Sequence, residues 1–255
     1  MTLRLIGMVH LGPLPGSPRY GGDIDGIVAA ASTDARTLIQ AGFDAVLVEN
    51  FGDAPFFAED APKTTIAAMT RAVTAIAALG VPTGVNVLRN DALGALAVAA
   101  ATGAAFIRVN VLSGVMHTDQ GTITGKAAEV ARLRAAVAPG VAIFADVFVK
   151  HATPPAGLTI DQAAADLWER AGADGIVVSG PGTGKAVDRS DLERVAAAAP
   201  GAPLYVGSGA DASSARQLLA VCAGLIVGTA VKVGGVTAAP VDPGRAKAFV
   251  AASGA

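Results

Sequence analysis

In the run Phe106–Asn110, apolar Ile107 and Val109 alternate with Arg108 and Asn110. If this is a strand with its apolar side against helices, the arginine and the asparagine point the other way. The same alternation in Ile143–Lys150 sends Asp146 inward and keeps Lys150 in phase with it. Other apolar runs end in His10, in Glu49 or Asn50, and in Asn86. Such a set contains a general base (Asp146 or Glu49) and an acid or electrophile (Lys150 or His10). It also offers three groups, Asn86, Arg108 and Asn110, that can orient hydroxyl or carbonyl oxygens. Isomerisation, epimerisation and aldol-type cleavage all use a positioned base beside a carbonyl, and a Schiff base at Lys150 is a further option. The alternative is a hydrogen-bonded plug in which Arg108 pairs with Asp146 or Glu49 and does no chemistry. Buried charge is costly unless paired, so several such groups converging on one face favour a ligand or catalytic role.

A second pattern complements the first. Leu204–Gly209 and Leu225–Thr229 are short apolar runs that end in glycine and a small hydroxyl residue. Backbone N–H groups of Gly207, Ser208, Gly209, Gly228 and Thr229 can converge on a phosphate, because a missing side chain lets its oxygens approach the main chain. Gly180, Gly182, Thr183 and Gly184 would form a wall of the same site, and Lys232 adds a positive charge or faces solvent. A small phosphorylated ligand is the expected partner.

Two nucleotide motifs fail on inspection. Ser179–Ala186 resembles a Walker loop but has Ser179 for its first glycine and Ala186 where Ser or Thr should follow the lysine. Gly207–Ala212 fits a loose dinucleotide fingerprint, yet after Asp211 the next acid is Asp242, too far on to hold a ribose. No cofactor is implied. His10, Glu49, His117, Asp146 and His151 have the chemistry of metal ligands, but no H-x-x-x-H or H-x-H spacing sets two of them on one element, so a divalent ion is a minor alternative.

The elements that must position these groups recur along the chain. Strands are expected over Arg4–His10, Asp44–Asn50, Thr83–Arg89, Phe106–Asn110, Val141–Lys150, Gly175–Ser179, Leu204–Gly207 and Leu225–Gly228. Between them, helices are expected over Ile24–Gln40, Thr64–Leu79, Ala92–Ala101, Lys126–Ala138, Thr159–Arg170, Arg189–Ala199, Ala212–Val221 and Pro243–Ala252. The strands are too apolar for a half-exposed antiparallel sheet. The pattern reads as a single (β/α)8 TIM barrel over residues 1–255, an α/β fold with its active site at the C-terminal face of the strands. Terse helix-to-strand turns and long, varied strand-to-helix loops agree, and all three histidines fall in the long loops. In the second of these, Phe56-Phe57 could cover a ligand or bury a subunit contact, and a homo-oligomer is expected.

Composition narrows the classes. Hydrophobic residues make up 52% of the 255 residues but aromatics only 4%, which suits Ala-rich helices on β-branched strands. The formal charge of −2 comes with no basic cluster, which argues against nucleic acid. No apolar run approaches membrane-spanning length, and the reading is a cytoplasmic protein. The single cysteine, Cys222, sits in an apolar run and reads as a small buried hydrophobe.

Gly7–Gly16, Glu49–Asp53, Gly84–Asp91, Phe106–Asn110, Ala145–Ala152 and Gly228-Thr229 together resemble the BtpA/SgcQ family, in order and at natural spacing over nearly the whole chain. The resemblance implies a ribulose-phosphate-binding-type barrel. One branch of that family is a photosystem I biogenesis factor, another sits among sugar-uptake and sugar-phosphate functions, and no common reaction is assigned. The chain departs from the family after Gly209, where Ala210-Asp211 replaces a more hydrophobic residue and often Asn. An acid there is expected to weaken phosphate affinity.

Overall fold

Short runs rich in Val, Ile and Leu become strands, and the Ala-rich stretches between them become helices. We describe a computed structural model of residues 3–180, 182 and 186–255. In chain order the strands are β1 (Leu5–His10), β2 (Ala45–Glu49), β3 (Thr83–Asn86), β4 (Phe106–Val109), β5 (Val115–Thr118), β6 (Gly121–Thr124), β7 (Ala142–Val147), β8 (Ala152–Thr153), β9 (Gly175–Val178), β10 (Leu204–Val206) and β11 (Gly224–Val227). The helices are α1 (Ile24–Ala41), α2 (Lys63–Ala77), α3 (Ala92–Thr102), α4 (Ala127–Val137), α5 (Ile160–Ala165), α6 (Arg189–Ala198), α7 (Ala215–Leu219) and α8 (Pro243–Ser253). The fold is a (β/α)8 barrel: β1, β2, β3, β4, β7, β9, β10 and β11 pair in parallel and β11 closes on β1.

Helix starts follow local chemistry. Asp23, Asp91, Asp188 and Asp242 each accept a backbone N–H at the first turn of α1, α3, α6 and α8. Thr159 and Gln162 form a reciprocal capping box on α5, which then runs into one π turn over Asp166–Arg170.

Two layers of core divide at the barrel wall. Outward residues such as Val46, Val85, Ile107, Val109, Ile143 and Ile176 pack under the helices. Inside the barrel, Ile6, Leu47, Phe106, Phe144, Tyr205 and Ile226 make a separate plug. Phe144 is its centre, with ring centroids 5.0 Å from Phe106 and 4.5 Å from Tyr205. Three of the eleven aromatics thus lie where a narrow interior needs large side chains, and glycine opposite makes the room. A Cβ on Gly84 would lie 2.1 Å from the Phe106 ring. Because inward positions recur every second residue, Phe106 leads to Arg108 and Phe144 to Asp146 one layer higher.

Three points depart from the sequence reading. The run expected to continue as strand to Lys150 stops at Val147, because Phe148 turns to a positive φ of 49° and breaks the alternation. Lys150 therefore reaches the barrel mouth from a loop and not from strand phase. A small antiparallel sheet, in the order β6-β5-β8, was also missed; it folds the long loop after β4 against the one after β7. Lys232 neither faces solvent nor helps an anion. It is fully buried, with its Nζ 2.7 Å from Asp34 Oδ2, while Asp34 Oδ1 accepts the Val241 N–H, so the pair stitches the last loop to α1.

Candidate active site

The C-terminal ends of the barrel strands carry a layer of buried polar groups directly above the apolar plug. Arg108, inward on β4, meets Asp146 on β7 with both nitrogens of one guanidinium edge: Nε donates to Oδ2 at 2.8 Å and Nη2 to Oδ1 at 2.7 Å. Asn110 donates to Asp146 Oδ2 at 3.2 Å and Ser179 Oγ donates to Oδ1 at 3.2 Å. Burial alone would discharge Arg108, but the Asp146 carboxylate outweighs it and raises its pKa. Asp146 is thus committed to a bidentate, fully desolvated pair. Asn86 donates from Nδ2 to the Arg108 carbonyl at 3.1 Å, and its own Oδ1 is buried without a hydrogen-bond partner.

Glu49 is different. It is buried at the end of β2, beside Asn86 in the β2–β3 register, and its carboxyl makes no hydrogen bond among the described residues. Beside it lies the His10 ring, with Nε2 3.8 Å from Oε1. Burial raises its pKa, against the pull of Lys150 and Arg108. Asn50, the alternative at this strand end, points away and clamps the Leu88 backbone, taking its N–H at 2.7 Å and donating to its carbonyl at 3.3 Å. The ammonium of Lys150 has no carboxylate partner among the described residues; burial and the Arg108 charge lower its pKa.

His10 is held neutral. Burial first, then the charges of Lys232 and Lys150, lower its pKa to about 3. Nδ1 lies 3.1 Å from the Thr237 carbonyl, which can only accept, so Nδ1 carries the proton and Nε2 presents a lone pair toward Glu49. The ring also packs on Phe51, centroids 4.9 Å apart. Between pH 6.5 and about 3 the unfolded chain binds a proton that the folded one refuses, so the contribution of His10 to stability is full above 6.5 and is lost as pH falls. Glu49 has the opposite sign, its contribution being full below 4.5 and lost as pH rises through its folded value. A His10→Gln variant will flatten the acid limb of the stability curve by up to about 1.4 kcal/mol per pH unit. Urea unfolding of both proteins across that range measures it, and equal slopes would rule out a neutral buried His10.

Two cavities meet at these groups and share Glu49, Phe51, Arg108 and Lys150. One, of about 230 Å³, extends to the ends of β10 and β11 and includes Gly207, Ser208, Gly209, Gly228, Thr229 and Arg245. The other, of about 530 Å³, opens toward the loops after β2 and β3. Asp146 and Asn86 line neither, whereas Asn110 lines the second.

The glycine ends divide their work. The Gly207 N–H is spent on the Val178 carbonyl at 2.9 Å, which removes it from the anion-binding set expected from sequence. This glycine is needed for space, since a Cβ there would lie 2.8 Å from Ser179 Oγ and 3.0 Å from Arg108 Nη2. No group among the described residues accepts the N–H of Gly209, Gly228 or Thr229. Ser208 Oγ donates to the Gly182 carbonyl at 3.3 Å, and Thr229 and Thr237 share a hydroxyl hydrogen bond of 2.9 Å. Asp211 takes up the amides of Ser213 and Ser214 and both their hydroxyls, so the turn before α7 is already capped. Thr183 and Gly184 lie outside the described residues.

Sequence reasoning missed Arg245, Arg89 and Ser179. Arg245 stands on the first turn of α8 and lines the smaller cavity; nothing in the local pattern links it to strands far earlier in the chain. Arg89 ends an apolar run and so carried a signal of the kind that singled out Glu49. His117 sits exposed on the β5–β6 hairpin, away from both cavities, and no group of three or more His, Cys, Asp or Glu able to hold a metal occurs among the described residues.

The sequence profile of the BtpA family matches residues 1–254. This chain belongs to the BtpA family. Among its relatives, the photosystem I biogenesis protein BtpA of Synechocystis is 46% identical over 249 residues, covering 97% of this chain and 87% of that protein. An uncharacterized protein of Methanocaldococcus jannaschii is 46% identical over 96% of this chain and 93% of its own. Among solved structures, the phosphoribosylanthranilate isomerase of Pyrococcus furiosus superposes with a TM-score of 0.57 at 15% identity over 98% of both chains. The N-acetylmannosamine-6-phosphate 2-epimerase of Clostridium perfringens does so with 0.55 at 15%, over 88% of this chain and 86% of that one. At such identities the likeness is one of fold, that of barrels whose names include enzymes of phosphorylated sugars. No helix among the described residues is long and apolar enough to cross a membrane.

Proposed function

We propose that this BtpA-family chain is an enzyme that moves a proton beside the carbonyl of a phosphorylated sugar or a related small metabolite, as in isomerisation or epimerisation. The observation that carries the proposal is Glu49: a buried carboxyl with a raised pKa and no hydrogen-bond partner among the described residues, at the junction of the two cavities. A structural carboxylate would be paired, as Asp146 is. With phosphate against the Gly209, Gly228 and Thr229 amides and Arg245, the adjoining carbons of the sugar fall beside Glu49. Glu49 takes the proton from carbon, the electron pair moves onto the carbonyl oxygen to give an enediolate, and Lys150 stabilises that oxygen. For isomerisation the proton returns to the former carbonyl carbon while the hydroxyl proton of the first carbon passes to the former carbonyl oxygen; for epimerisation a second donor, the Lys150 ammonium or water, delivers a proton to the opposite face of the first carbon. His10 can only accept at Nε2, 3.8 Å from Glu49, so it is no acid. Arg108, Asp146, Asn86 and Asn110 position the mouth.

Two features favour a second reading. Phe57 is 62% exposed in the loop after β2, and the Arg108–Asp146 pair resembles a plug, as in a protein that binds a partner in assembly and does no chemistry; the Synechocystis relative is named a photosystem I biogenesis protein. The two readings part on ligand binding. Inorganic phosphate and ribulose 5-phosphate should raise the Tm, and Arg245→Ala should weaken both by about tenfold, the loss of one charge-assisted contact. Failure of every phosphorylated sugar to stabilise the protein, with no effect of Arg245→Ala, would leave the assembly role standing.

A further inference from the structure

The larger cavity has no place in a reaction confined to a simple sugar phosphate, because phosphate and the reacting carbons are accounted for by the smaller one. Its walls have a distinct chemistry. Phe51, Pro55, Phe56 and Leu88 give it apolar faces, and Arg89 stands among them. Arg89 is only 6% exposed, donates one hydrogen bond from Nη2 to the Lys150 carbonyl at 2.7 Å, and pairs with no carboxylate among the described residues. It feels the charges of Asp146, Asp119 and Glu49, the last two in the same cavity wall, only from beyond pairing distance, and a buried guanidinium with no direct ion pair is a costly arrangement unless an anion completes it. Arg19, Arg108 and Lys150 add further positive charge to the lining. On the opposite loop, Gln120 donates from Nε2 to Asp119 Oδ2 at 2.6 Å, which fixes its amide orientation and leaves Oε1 buried with no partner. The cavity thus offers apolar faces, a desolvated bidentate donor and one orphaned acceptor.

We infer that this cavity is a subsite for a flat apolar group bearing a carboxylate, the carboxylate on Arg89 and a ring N–H or O–H on Gln120 Oε1. The inference rests on the phosphosugar reading for its second half: the substrate is two-ended, with phosphate at the β10 and β11 loops, the planar acid under Phe56, and the bond chemistry between them at Glu49 and Lys150. Specificity then resides in the loops after β2, β3 and β4, which also carry Phe56, Arg89 and Gln120. The mouth of the larger cavity, and not the phosphate end, selects the substrate.

Calorimetric titrations of the full chain with benzoate, benzamide and inorganic phosphate test this. Benzoate should bind at least tenfold more tightly than benzamide, and Arg89→Gln should abolish that preference. Phe56→Ala, a half-buried position that the fold can spare, should weaken benzoate and benzamide alike. Phosphate binding should survive both substitutions. Benzoate that fails to bind, that binds no better than benzamide, or that ignores Arg89→Gln overturns the subsite; should Arg89→Gln not fold, the wild-type preference and Phe56→Ala still decide. If benzoate selectivity holds while phosphate does not bind, the carboxylate subsite stands and the phosphosugar reading falls. If phosphate binds without benzoate selectivity, the reverse is true.

Discussion

A Glu49→Gln variant will lose about 10²- to 10⁴-fold in the rate at which the protein exchanges the carbon-bound hydrogen of a bound phosphorylated ketose with solvent deuterium, the range for loss of a general base. Proton NMR in deuterium oxide follows this exchange directly and does not require the final product to be known. Glutamine keeps the shape of the side chain but cannot take a proton. Folding should be spared, because the substitution removes a buried acid with no hydrogen-bond partner among the described residues and leaves no charge behind. The Tm is expected to stay level or rise. Exchange that proceeds unchanged in this variant would remove Glu49 from the chemistry.

Asp146→Ala will do the opposite, destabilising the fold by about 3–5 kcal/mol, the cost of breaking a buried ion pair from one side. Both partners are almost wholly desolvated, with side chains 2% and 0% exposed, so solvent cannot take over the role of the carboxylate. Arg108 would keep its charge with Ser179 as its remaining side-chain neighbour, and Asn110 would lose an acceptor. For a chain of this size the loss corresponds to a fall in Tm of roughly 10 °C, read by circular dichroism. Asp146→Asn, which keeps the shape and part of the hydrogen bonding, should fall between Asp146→Ala and wild type. A melting temperature within a degree or two of wild type in Asp146→Ala would show that the pair is not the internal brace that its geometry implies.

These two carboxyls also show how far sequence reasoning reaches. Strand alternation brought Arg108, Asn110 and Asp146 to the barrel interior and Glu49 to a strand end, because side-chain direction in a strand depends only on position along it. Alternation could not tell the two acids apart. Which of them is paired follows from the approach of β4 to β7, where Val109 lies beside Ala145, and that is a property of barrel closure. Alternation puts Lys150 at the mouth in strand phase, but the strand ends before it and a loop carries it there. The glycine ends were read as a cradle of amides, yet Gly207 serves by its lack of a Cβ, and the Asp211 side chain already caps the turn that follows.

What the chain determined by itself was therefore periodic and local: eight apolar runs alternating with Ala-rich helices, their caps, and the inward phase of polar residues near the strand ends. Hydrogen-bonded periodicity and burial act over a few residues, and they leave a readable pattern. Tertiary structure alone decided which charges meet. It set Arg245, on the last helix, beside the glycines that follow β10 and β11, joined Lys232 to Asp34 across 198 positions of sequence, and left Glu49 without a hydrogen bond and Arg89 without a carboxylate among the described residues, at cavities formed by several loops. Coulombic and desolvation energies depend on distance and burial in space, and neither is written in the order of residues.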